Sequence, residues 1–335
     1  IIKGKAFYIM SLEERDYSLD TVGGAMIVYM LFMHCCQFTD MMDWKGMECL
    51  QTIFVGFMAW FFFKSGMFYN PTQNVKDVLH RTGPKLLRPY VAFSIIGYFV
   101  YCIVLWNRGD ADWKHYTFSI VKNILFTGSF GGAMPLWFLV TLFSVKLLSP
   151  IIVGKYRYGG GICGLIGLGC SYISGNLIDL QPYYIFNFFP AMFFYWLGSI
   201  LKERQYDKRV LFLSAMVFLA LFAYPSHVDF RVNHLNEGLY LLFLLHSTAA
   251  IVVFNNVAKM FGRKQGFLTK IGRQSMYWYC AHWSLLLIIN LLLSNMIPSL
   301  SGYFLLFLTF TILVILLYIM KPVFYSLRVK ILMGL

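Results

Sequence analysis

Ten apolar runs, each close to the length that crosses a bilayer, follow one another along the chain. They cover approximately residues 19–38, 51–69, 89–106, 135–150, 159–174, 185–201, 210–224, 236–254, 276–295 and 303–320. The hydrocarbon core of a membrane takes about 20 apolar residues at 1.5 Å per residue. The expected fold is therefore all-α, a polytopic membrane helix bundle of about ten transmembrane helices. Only 13% of the residues are charged and 59% are hydrophobic, whereas a soluble domain carries roughly 25% charge. Residues 118–127 are too short to span and are expected at an interface.

The net charge of +13 is distributed as a topology code. Lysine and arginine number 21 in one set of alternate connections and five in the other (Lys45, Arg108, Lys114, Lys122 and Arg231), with Lys64 and Lys146 inside spans. Such a bias places both termini in the cytoplasm. No basic patch interleaved with aromatics points to nucleic acid. The first twenty residues lack the uninterrupted apolar core of a cleavable signal peptide, so the first span is expected to remain as an anchor. Residues 1–335 read as one integral-membrane domain with no separate soluble part. The seven cysteines show no metal-ligand spacing, so no metal is expected.

Ionisable groups inside a membrane are expensive and mark partners, cavities or pathways. Asp20, His34, Lys64 and His282 stand out on this count. His34 lies about 15 residues into the first span, or roughly 22 Å from its cytoplasmic end. An imidazole there suits either a helix-packing hydrogen bond or a general base. Lys64 lies near the cytoplasmic end of the second span, followed by Ser65 and Gly66. In HRTGPKLLRPY, residues 80–90, Arg81, Lys85 and Arg88 fall on one helical face, as an anionic ligand or a positive-inside loop would each require. His282, about six residues into the ninth span, is expected near the cytoplasmic side and out of reach of His34.

Six segments in order resemble the integral-membrane acyltransferase family 3, the acyl-CoA-dependent O-acyltransferases of bacterial surface glycans. They are SLDTVGGAMIVYMLFMH, FFFKSGMFY, KLLRPY, PLWFLVTLFSVKLL, FFPAMFFYWLGSILKE and IGRQSMYWYCAH. The resemblance implies a catalytic His34 and an acyl-CoA co-substrate, acetyl-CoA above all, approaching from the cytosol. It also implies a saccharide or glycan acceptor and residence in the bacterial inner membrane, among its lipids. Where the family carries arginine or lysine eleven residues before the histidine, this chain has Gly23. Lys64 is expected to supply that cation across the space the glycine vacates. On this reading Arg81, Lys85, Arg88 and Lys64 hold the donor's phosphates, and Asp20, Ser65, Trp137 and His282 support. Two rival functions remain open from the sequence. A lipid-linked-sugar transporter would suit a broken helix in the glycine-rich run YGGGICGLIGLGCSYISG, and a catalytically silent homologue would suit Gly23.

Overall fold

The structure, a computed structural model, describes residues 16–109, 113–176, 183–261, 265–297 and 299–326. Both chain ends, and with them the expected cytoplasmic termini, lie outside these residues. What is described is helical except for one short hairpin. Seven helical stretches among the described residues are long and apolar enough to cross a membrane. The expected first span is helix α1, Ser18–Phe38. The second is interrupted: α2 (Lys45–Ile53) and α3 (Phe57–Met67) flank a break at residues 54–56. There Gly56 lies against the Ser247 carbonyl, and Ser247 Oγ donates to the freed Val55 carbonyl at 3.4 Å. The third is a 33-residue helix, α4 (Val75–Asn107), started by a capping box between Asn74 and Asp77 well before the apolar run.

The segment expected at an interface forms α5, Trp113–Thr127. A 3₁₀ turn at Gly131–Leu136 leads into α6, Trp137–Ile152. The glycine-rich run is a continuous helix, α7 (Gly159–Asn176), followed by α8 (Tyr183–Leu201) and α9 (Lys208–Phe222). A discontinuous transporter helix is thus not what this segment forms. Strands β1 (His227–Asp229) and β2 (His234–Glu237) pair antiparallel between α9 and α10 (Tyr240–Phe261). The short helix α11 (Phe267–Arg273) precedes α12 (Ser275–Met296) and α13 (Gly302–Phe324).

Lipid offers apolar side chains the same solvent that neighbouring helices do, so close backbone approach carries much of the packing. Two crossings show it. Gly66 of α3 faces the Tyr195 carbonyl while Gly198 of α8 faces the Phe63 carbonyl. Gly24 of α1 faces the Leu268 carbonyl while Gly272 of α11 faces the Asp20 carbonyl, and the hydroxyls of Thr21 and Thr269 meet at 3.0 Å beside them. A Cβ at Gly272 or Gly24 would collide with backbone. We predict that Gly272→Val lowers stability by about 1–3 kcal/mol, read as denaturant or thermal unfolding in nanodiscs. Gly169→Ala, where the added atom meets nothing within 4 Å, should leave stability unchanged. Equal stability of Gly272→Val and the parent would mean the α1–α11 crossing is loose.

Candidate active site

α1 carries His34 four residues before its C-terminal residue, and α12 runs alongside. His34 Nδ1 meets Gln37 Oε1, one turn on, at 2.7 Å. With the amide oxygen accepting, Nδ1 carries the proton and Nε2 is the basic nitrogen. The ring stacks on His282 with centroids 5.1 Å apart and 19° between planes, and meets Trp283 edge-to-face at 5.2 Å. His282 is fully buried, and its Nδ1 lies 2.7 Å from the Tyr279 carbonyl. Its Nε2 is buried with no hydrogen-bond partner.

The expectation that His282 would lie too near the cytoplasmic side to meet His34 is therefore corrected. Gly272 seats on α1 between Asp20 and Gly24, so α12 begins level with the interior of α1 rather than with its first turn. His282 comes ten residues after Gly272, and His34 comes ten residues after Gly24. Helices rising at the same 1.5 Å per residue from that shared level bring both rings to one depth. Two bonds fix this part of α12 against the 3₁₀ turn: Trp283 Nε1 donates to the Gly131 carbonyl at 2.9 Å, and the Tyr279 hydroxyl donates to the Pro135 carbonyl.

His34 opens onto a cavity of about 1030 Å³. Tyr29, Phe57, Trp137 and Phe230 give it aromatic faces, while Gln37, Asp43, Glu48, Asp229 and Glu237 give it hydrogen-bond acceptors. Lys45 and Arg231 are its cations. The hairpin forms one wall and was not foreseen from the sequence, because three- and four-residue strands carry almost no periodic pattern. Its polar run SHVDFRVNHLNEG between two apolar spans was the available signal. Asn233, at φ +52° in its turn, donates to the Gly167 carbonyl and accepts from the Tyr240 hydroxyl. Asn187 donates to the Arg231 carbonyl and accepts from Thr141. These bonds tie the wall to α6, α7, α8 and α10. Burial holds His227 below the ordinary histidine range, with Glu237 pulling the other way, so at neutral pH it presents an uncharged ring to the cavity.

The other expected site residues lie elsewhere. Lys64 Nζ is 3.6 Å from Asp20 Oδ1, 3.4 Å from the Leu19 carbonyl and 5.0 Å from the Trp60 ring centroid. Asp20 sits in the first turn of α1, where the helix dipole favours an acid. The space beside Gly23 is not crossed by the lysine: the Trp60 ring occupies it, 3.2 Å from where a Cβ would stand. Trp60 is held there by its Nε1 bond to Asn255 Oδ1 at 2.8 Å. Ser65 is half-buried beside Lys64 on α3, and Trp137 lines the large cavity. Arg81, Lys85 and Arg88 are exposed along α4 and line neither this cavity nor a smaller one of about 390 Å³. That second cleft carries Tyr69, Arg157, Trp196 and Lys202. Among the described residues no three His, Cys, Asp or Glu side chains converge as a metal site.

A family model described as an acyltransferase domain, acyltransferase family 3, matches residues 16–319. No curated protein and no solved structure matches. Cys49 is exposed and lines the large cavity, whereas Cys35 and Cys36 are fully buried on α1. If the charge bias sets the orientation, with this cavity on the outer side, a membrane-impermeant maleimide added to intact cells should modify Cys49 and spare Cys35 and Cys36, as located by peptide mass spectrometry. Modification of Cys49 only after lysis would place the cavity on the cytoplasmic side.

Proposed function

The chain belongs to this acyltransferase family, and from that premise we propose that it is a membrane O-acyltransferase using cytosolic acyl-CoA. It transfers an acyl group, acetyl in the first instance, to a hydroxyl of a saccharide or cell-envelope glycan. The observation that carries the reading is His34, whose Nδ1 is held by Gln37 and whose ring faces a large polar and aromatic cavity. Aromatic faces with carboxylates and amides around them suit sugar rings and hydroxyls. A cavity of about 1030 Å³ lies at the upper end of the ~300–1,000 Å³ usual for small-molecule sites, with room for a sugar acceptor.

In the proposed reaction the acceptor hydroxyl gives its proton to His34 Nε2 as its oxygen attacks the thioester carbonyl. The new C–O bond forms, the C–S bond breaks, and the departing thiolate takes the proton back from the imidazolium. General-base help of this kind contributes typically 10²–10⁴-fold. The donor enters from the opposite end of the bundle, where charge bias places the cytoplasm. Arg81, Lys85 and Arg88 present an exposed cationic face there, suited to phosphates as charge-assisted donors. Lys64, oriented by Asp20, stands at the same end with Ser65. Trp137 lines the acceptor side. The enzyme would work in a bacterial inner membrane, with the acyl group made inside and the glycan outside.

The test uses purified protein in nanodiscs with radiolabelled acetyl-CoA and a panel of cell-envelope glycans. His34→Gln should lower label transfer about 10²–10⁴-fold while leaving donor binding intact. Transfer by His34→Gln at the parent rate would remove His34 from the chemistry. Replacing Arg81, Lys85 and Arg88 together by alanine should weaken donor binding and flatten its salt dependence. Unchanged binding would move the phosphates to another surface, with the Arg157–Lys202 cleft next in line.

A further inference from the structure

We propose that the smaller cleft, at the charge-rich end of the bundle, seats a membrane phospholipid whose phosphate is held by Arg157 and Lys202. This goes beyond the acyl-transfer reading and does not depend on it.

The cleft lies where three helices end. Met67 and Tyr69 stand at the end of α3, Arg157 follows α6, and Trp196 and Lys202 belong to the end of α8. All three ends fall on the side where charge bias places the cytoplasm. A volume of about 390 Å³ takes a phosphoglycerol head and leaves the acyl chains outside. The lining holds two cations and no Asp or Glu. Among the described residues neither Arg157 nor Lys202 forms an ion pair. Trp196 Nε1 donates to the Arg157 carbonyl at 3.1 Å, and the guanidinium lies 5.4 Å from the Tyr158 ring centroid. The loop that carries Arg157 is thereby pinned to α8, whose end carries Lys202. Basic pockets between helices at the cytoplasmic face draw the phosphates of the inner leaflet. A guanidinium beside an ammonium offers one phosphate several charge-assisted donors.

Helix C-termini also attract cations, so charge alone does not name the occupant. Two further features do. Inward, the cleft is closed: Gly66, in its wall, lies at the α3–α8 crossing, where it faces the Tyr195 carbonyl while Gly198 faces the Phe63 carbonyl. Outward, the surface is apolar: Phe68, between two lining residues, and Ile200, in the wall itself, are both exposed. An occupant therefore keeps its charged head in the cleft and its apolar part along the outside of the bundle, which describes a lipid. Tyr69 and Trp196 add the aromatic side chains that favour headgroup level.

The test reconstitutes the full chain in nanodiscs of equal parts phosphatidylglycerol and phosphatidylcholine, releases it into detergent and counts the retained lipid by native mass spectrometry. The parent should retain one phosphatidylglycerol per chain, with about tenfold preference over phosphatidylcholine. Arg157→Gln combined with Lys202→Gln should lose that preference, and because both side chains are exposed the variant keeps its fold. Lys76→Gln combined with Lys208→Gln removes the same charge from the same end without touching the cleft, and should keep the preference. No preference in the parent, or equal loss in both double variants, would overturn the proposal. Full retention without Arg157 and Lys202 would do so too, because the cations would then serve only the helix ends. Acetyl-CoA and inorganic phosphate, added to separate samples, should leave the lipid in place. Displacement by acetyl-CoA would give the cleft to the donor, displacement by phosphate would give it to a soluble ion, and either result would overturn the lipid assignment. None of these measurements involves acyl transfer, so failure here and failure of the transfer assay are separate results.

Discussion

The crossing of α11 over the first turns of α1 fixes everything that follows at the site. Gly24 and Gly272 let two backbones touch, and Thr21 and Thr269 join their hydroxyls across the contact. In lipid such a contact has to be close to be worth much, because loosely packed side chains gain nothing over acyl chains. The consequence is vertical registry. α12 starts level with the interior of α1, and two histidines nearly 250 residues apart in sequence arrive at one depth. A larger residue at either glycine would separate the helices and the rings together.

The bundle has two chemically unlike ends. At one, α1 brings the His34 imidazole, stacked on the buried His282 of α12, to the edge of a wide cavity whose far wall is a hairpin held by buried asparagines. At the other, cations project from α4 and from the α3–α8 region, and Lys64 is paired with Asp20. Aromatic packing around Trp60, Phe62, Phe138 and Phe230 fills the space between. An elongated donor with an anionic head and a reactive thioester tail matches this polarity, and so does a hydroxylic acceptor coming from the opposite side.

Much of the helical frame was legible in the sequence, since apolar runs of that length have few alternatives. The break at residues 54–56 was not, because the run stays apolar through it. What replaces the lost helical bond is Ser247, almost 200 residues away. The extra length of α4 lay in a polar capping box that a search for apolar runs passes over. His34 was legible as an ionisable group deep in a span. Its partnership with His282 was not, because depths measured along two separate spans share no common origin in the sequence. Only the glycine crossing, a tertiary fact, supplies the common origin. The space at Gly23 went to Trp60 for a similar reason: its anchor, Asn255, sits on a helix far along the chain.

The central claim is that this membrane acyltransferase carries an acyl group from a donor on one face to a hydroxyl on the other, through His34. The most direct measurement is made in proteoliposomes of known orientation, with labelled acetyl-CoA sealed inside and glycan acceptor outside. The account predicts label on the external glycan when the cationic end faces the donor, with no release of free acetyl-CoA from the vesicles. Label appearing only when donor and acceptor share a compartment would contradict it.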